Sequence, residues 1–124
     1  MTKTIGRHRA GEASGEATAG APADAELLVA VRAGDTAAFG VLYDRHSEAA
    51  RRLARVLVRE PSDAEDLVAE AFAKVLAALR LGRGPEVAFR AYLLTAVRHA
   101  CYDRTRRDRR IEFTEDLTRY ETTG

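Results

Sequence analysis

The stretch "DAEDLVAEAF", residues 63–72, sets Asp63, Glu65, Asp66 and Glu70 within eight positions and threads them with apolar residues. Carboxylates at that density can ligate a metal, exchange protons with a substrate, keep a helix face soluble or meet a basic partner. On a helix turning 100° per residue, Asp63, Asp66, Glu70 and Lys74 align on one side. Leu67, Val68, Ala71, Phe72, Val75, Leu76 and Leu79 spread over a broad apolar arc. Leu67 stands at the border of the two and is expected to be exposed. The metal reading lacks ligands, because no Glu-x-x-His pair of the di-iron bundle type occurs. Acid–base chemistry would need a cleft and a second constellation, and the sequence shows neither. Acids near a helix N-terminus favour its dipole, which suffices for Asp63, and Glu65 is explained by a capping box with Ser62. For Asp66 and Glu70, beside Leu67, a partner surface competes with a solvated face, since interfaces mix an apolar anchor with polar contacts.

A second stretch has the opposite character. Residues 98–110 carry six Arg against two Asp, whereas residues 111–124 carry four acids against one Arg. In helical projection Thr95, Arg98, His99, Tyr102, Arg106 and Arg109 share one face, opposite Phe89, Leu93, Ala96, Val97, Ala100 and Cys101. Arg neutralises phosphate and fixes register, while Tyr and His stack on or bond to unpaired bases. A solvated helix end with Arg near its C-terminus is the plainer alternative. The clustering, continued by "RTRRDRR" (104–110), favours nucleic acid. Eighteen Arg against two Lys also fits the coding bias of a GC-rich genome, so the clustering carries more weight than the Arg content.

Helices must position these residues. Asp24 is expected to cap a short first helix whose apolar side is Leu27, Leu28 and Val31, and Gly34 ends it. Asp35 caps a second helix to about Arg59, with Phe39, Leu42, Tyr43, His46, Ala50, Leu53 and Leu57 as its stripe. Pro61 breaks the chain, and a third helix runs to about Arg80 from the Ser62–Glu65 box. "LGRGP" (81–85) reads as a loop, and a fourth helix is expected from about Glu86 to Arg107. Residues 1–22 lack apolar periodicity and read as a disordered arm, while the acidic residues 111–124 read as a linker or extension. The expectation is a compact all-α, four-helix domain over residues 23–110.

Composition narrows the function. The 124 residues, 46% hydrophobic and 31% charged with a net charge of +1, suit one soluble domain. No apolar run approaches the roughly 20 residues that span a bilayer, and no h-region follows the basic N-terminus. The chain therefore reads as cytoplasmic. Cys101 is the only cysteine, so no internal disulfide or Cys-based zinc site is available, and its apolar-side position suits a buried small hydrophobe. His46 lies in a packed stripe. "GRG" is no phosphate loop, because no strand precedes it and no Gly-Lys-Ser/Thr follows. Nothing pairs a nucleophile with a base, so no enzyme activity and no cofactor is expected.

In order and spacing, "AELLVAVRAGDTAAFGVLYDRH" (25–46), "DAEDLVAEAFAKVL" (63–76) and "AFRAYLLTAVRHACYDRTRRDRR" (88–110) resemble region 2 of extracytoplasmic-function (ECF) sigma factors, in the sigma-70 family. The resemblance covers about residues 24–110. It implies a bacterial transcription initiation factor whose third helix docks on the β′ clamp helices of RNA polymerase core. Asp66, Leu67 and Glu70 would be the central contacts, with Asp63 and Lys74 beside them. It also implies that the following loop and fourth helix open and read the promoter −10 element. Arg83 would lie near a base flipped from the non-template strand, with Tyr92, Thr95, Arg98, His99, Tyr102, Arg106 and Arg109 along the DNA. Tyr92 stands where the family usually has Trp, Thr95 where Arg is common and His99 where Asn is frequent. These departures bear on melting and on the preferred −10 sequence. The family's −35-reading domain would follow the acidic segment, and the sequence stops at Gly124. That is expected of a protein cut short or of a one-domain protein. An anti-sigma factor is a further partner that the resemblance implies, so a sigma-like decoy or sequestered regulator is the alternative. A small helical enzyme or ligand-binding bundle has no residue constellation in its favour.

Overall fold

The computed structural model describes residues 20–123, which form the helices α1 (Asp24–Arg32), α2 (Thr36–Leu57), α3 (Pro61–Arg80) and α4 (Phe89–Thr123). The fold is all-α, as expected, with no strand among the described residues. Residues 1–19 of the N-terminal arm lie outside that range.

One core joins the four helices. Leu28 and Leu42 meet Leu67, Val75 and Leu79 of α3 and Phe89, Leu93 and Val97 of α4, all essentially inaccessible to solvent. Full burial of each such side chain contributes about 1.5–3 kcal/mol. Phe72 seals the α2–α3 contact, edge-on to Phe39 at 6.0 Å and tilted against Tyr43 at 4.6 Å between ring centroids. No helix among the described residues is long and apolar enough to cross a membrane.

Two helix ends are built alike. Gly34 (φ 105°) and Gly82 (φ 79°) follow the last turns of α1 and α3 in the left-handed region. Around them Asp35 N–H donates to Ala30 O and Gly34 N–H to Val31 O, while Arg83 N–H donates to Ala78 O and Gly82 N–H to Leu79 O. Both are Schellman closures, which need a residue without a Cβ penalty at that position.

The helix starts differ from expectation in instructive ways. Asp35 does cap α2, accepting from Ala38 N–H. Asp24 does not cap α1: it is the first helical residue after Ala23. Its carboxylate is instead drawn to α2, with Oδ1 accepting from Arg45 Nη1 at 3.0 Å and Oδ2 bonded to His46 Nε2 at 2.8 Å. Nor does Ser62 cap α3, because Pro61 already occupies the first turn, where its missing N–H costs nothing. Glu65 points to Arg51 of α2 at 3.4 Å rather than back to the helix start. α2 stops at Leu57, short of Arg59, since residues ahead of Pro61 are extended.

His46 is buried, as its stripe position implied, and packs on Phe89 at 5.2 Å between rings. Its Nδ1 accepts from Arg90 Nε at 3.4 Å, so Nε2 carries the proton donated to Asp24. This ring ties α1 and α4 to α2. Cys101 is half-buried against the core.

α4 departs most from expectation. It begins at Phe89, three residues after Glu86, because 81–88 form a longer connection than "LGRGP" alone. It continues through residues 111–123, the segment read as an acidic linker or extension. That segment holds neither Pro nor Gly before Gly124, so nothing in it stops a helix.

Candidate polymerase and nucleic-acid interfaces

On α3 the core side and the acidic side divide more sharply than in helical projection. Leu67 is fully buried, not exposed beside Asp66, because α2 and α4 close over the border of the apolar arc. It supports the acidic face from beneath and offers no contact of its own. Asp66 is exposed, and no hydrogen bond or ion pair engages it among the described residues.

The other members of the acidic line are tied to α4. Arg104 donates to the Asp63 backbone oxygen and to Asp63 Oδ1, both at 3.3 Å. Lys74 Nζ donates to Asp103 Oδ2 at 3.0 Å and lies 3.8 Å from Glu70 Oε2. Arg107 approaches the same Glu70 oxygen at 4.0 Å. Arg104 and Arg107 entered the sequence analysis only within the basic "RTRRDRR" run, and Asp103 only as one of two acids among the Arg, none of them as a partner of α3. Their partners lie 29 to 41 positions away for the two hydrogen-bonded pairs, beyond the reach of helical spacing.

On α4 the expected polar stripe is present. Tyr92, Thr95, Arg98, His99, Tyr102, Arg106 and Arg109 are all exposed. The Arg106 guanidinium lies 5.6 Å from the Tyr102 ring centroid, a cation–π arrangement that holds both side chains along the helix. Steps of four, three, four and four residues carry the stripe on from Tyr102 through Arg106 and Arg109 to Phe113 and Leu117, which are exposed as well.

Beside this stripe a half-open cleft of about 280 Å³ lies between α3 and α4, lined by Lys74, Val75, Tyr92, Thr95, Ala96, His99 and Asp103. Lys74, expected with the docking residues, thus joins Tyr92, Thr95 and His99 of the DNA set. Val75 and Ala96 form its floor, while a phenol, an imidazole, a hydroxyl and an ion pair rim it. The hydrogen bond from Lys74 holds the Asp103 carboxyl below the usual aspartate range, with the charges of Lys74, Arg106 and Arg107 adding to it. An apolar floor with donors and acceptors at the rim suits a flat, edge-polar group such as a base. Arg98, Tyr102, Arg106 and Arg109 lie outside the cleft, along the helix. Arg83 is exposed in the 81–88 connection, next to Gly84. Among the described residues no three His, Cys, Asp or Glu side chains gather where they could hold a metal ion.

Residues 42–111 match the family model for sigma-70 region 2. The chain is 42% identical over 87 residues to the ECF RNA polymerase sigma factor SigM of Mycobacterium tuberculosis strain ATCC 25618 / H37Rv, covering 68% of this chain and 42% of that protein. It is 41% identical over the same length to SigM of strain ATCC 35801 / TMC 107 / Erdman, with the same coverage. The chain thus spans about two-fifths of the length of these curated relatives. No solved structure matches it. The matched segment holds all of α3, the 81–88 connection and the exposed stripe of α4 down to Ile111, and the chain belongs to the sigma-70 region 2 family, on its ECF branch.

Proposed function

We propose that this domain is a non-catalytic adaptor of bacterial transcription initiation, working in the cytoplasm between RNA polymerase core and promoter DNA. The α3 face docks on the β′ clamp helices, with Asp66 as its free charge and Asp63, Glu70 and Lys74 as charges shared with α4. The 81–88 connection, the cleft and the α4 stripe recognise the −10 element as an opened non-template strand. Arg83, Arg98, Arg106 and Arg109 face the backbone, and Tyr92, Thr95, His99 and Tyr102 face bases. The observation that carries this reading is the continuous exposed run of Arg and aromatic residues along α4 beside a base-sized cleft. Stacking plus phosphate neutralisation is the pattern of single-strand recognition, and binding gained only on the open strand drives melting.

The test titrates the chain into RNA polymerase core by fluorescence anisotropy. Asp66→Arg weakens binding tenfold or more while leaving the thermal midpoint within a few degrees, because Asp66 makes no pair among the described residues. Unchanged affinity would move the docking face elsewhere. Failure of the unmutated chain to bind would favour a sequestered or decoy role, with an anti-sigma factor as the partner of the same face.

A further inference from the structure

The 81–88 connection carries Arg83 and joins α3 to α4, the two helices that line the cleft, yet little of it is held by burial: Leu81, Gly82, Arg83, Glu86, Val87 and Ala88 are all exposed. Glycines at 82 and 84 in the left-handed region leave its backbone pliable. Among the described residues, its long-range hydrogen-bonded tether comes from α1. Arg32, the last residue of that helix, donates from Nε and Nη2 to the backbone oxygen of Arg83 at 3.3 and 3.2 Å, and from Nη2 also to that of Pro85. The Schellman closure at Gly34 turns the chain away directly after Arg32, leaving its side chain free to reach the connection.

We propose that Arg32 is a positioning residue for base selection. It touches no DNA itself. It clamps the Arg83 and Pro85 carbonyls so that the Arg83 side chain presents one geometry to the strand. A planar guanidinium reaches two carbonyls at once with a fixed fork, whereas a lysine ammonium is a flexible point donor. Side-chain-to-backbone bonds of this kind make the anchoring independent of the identity of residues 83 and 85. The base-selection part rests on the function proposed above; the anchoring part does not.

Two measurements separate them. In limited trypsin digestion followed by mass spectrometry, cleavage of Arg83–Gly84 is compared with cleavage of Arg59–Glu60 in the α2–α3 turn. Arg32→Ala and Arg32→Lys both raise that ratio at least threefold, because cleavage of a loop tracks its local opening. In the complex with RNA polymerase core, selection from −10 non-template oligonucleotides randomised one position at a time then reports base preference. Both variants flatten the preference at one position at least threefold, with core affinity within twofold of the unmutated chain.

An unchanged cleavage ratio in Arg32→Ala overturns the anchoring. Intact preference in a variant whose cleavage has risen overturns the positioning role. So does uniform weakening on all strands by Arg32→Ala with none by Arg32→Lys, which would make Arg32 a plain phosphate charge. Absence of any base preference in the unmutated complex would overturn the proposed function and the base-selection role together, while the cleavage ratio still decides the anchoring.

Discussion

Lys74 Nζ and Asp103 Oδ2, 29 positions apart in sequence, meet at 3.0 Å across the α3–α4 cleft. The contact joins the helix read as the polymerase face to the helix read as the DNA face. Glu70–Lys74, Glu70–Arg107 and Asp63–Arg104 extend it into a line of charge pairs along the same seam. Under the proposed function, docking on one helix and strand binding on the other would act on shared side chains.

That pair gives a pH dependence of defined sign. The Asp103 carboxyl is held below its ordinary value, chiefly by the Lys74 hydrogen bond. Its contribution to stability is therefore complete above the unfolded aspartate value of about 3.9 and is lost as pH falls through the lower folded value. Lys74→Met removes the donor, so the Asp103 carboxyl titrates closer to the ordinary value. Carboxyl carbon NMR titration of both proteins checks this; identical Asp103 curves would mean that the bond does not persist in solution.

Neighbouring positions on α3 separate stability from surface chemistry. Leu67→Ala opens a cavity in the core and is expected to cost about 2–5 kcal/mol of unfolding free energy. Asp66→Ala removes an exposed carboxylate that no described residue pairs with and stays within about 0.5 kcal/mol of the unmutated chain. Urea denaturation of both variants tests the assignment, and a mild Leu67→Ala would contradict its place in the core.

On α4 the stripe is read by salt and by stacking. If Arg106 pairs with phosphate as proposed, replacing it by Gln lowers the slope of log affinity against log salt for single-stranded DNA by about 0.7. Tyr102→Ala weakens binding by about 1–3 kcal/mol without changing that slope. Anisotropy titrations of the polymerase-core complex with a −10 strand at several salt concentrations distinguish the two. A slope change in Tyr102→Ala, or none in Arg106→Gln, would reverse their roles.

Some of the fold and site was readable from short-range pattern and some was not. The apolar stripes of α1, α2 and α3, the stops at Gly34 and Gly82, and the Asp35 cap depend on residues within a few positions of each other. Asp24 and Glu65 looked like local caps because capping is the nearest use for a carboxylate at a helix start. Arg45, His46 and Arg51 of α2 offered those carboxylates stronger partners, and only the packing of α2 against α1 and α3 brought them within reach. Residues 111–123 looked like a linker or extension because acidic residues replace a core stripe there, and a helix needs no core to continue when nothing interrupts it.

By itself the sequence determined the helical class, the inward residues and the two charged faces, since each follows from 3.6-residue periodicity and from glycine, proline and capping chemistry. Tertiary structure alone decided that Leu67 is buried, that Lys74 belongs to the cleft, that Asp63 pairs with Arg104 of α4, and that Arg32 holds the 81–88 connection. Each of these depends on distances between residues far apart in the chain. Those distances are set by how the helices pack about their common core, which no local spacing encodes.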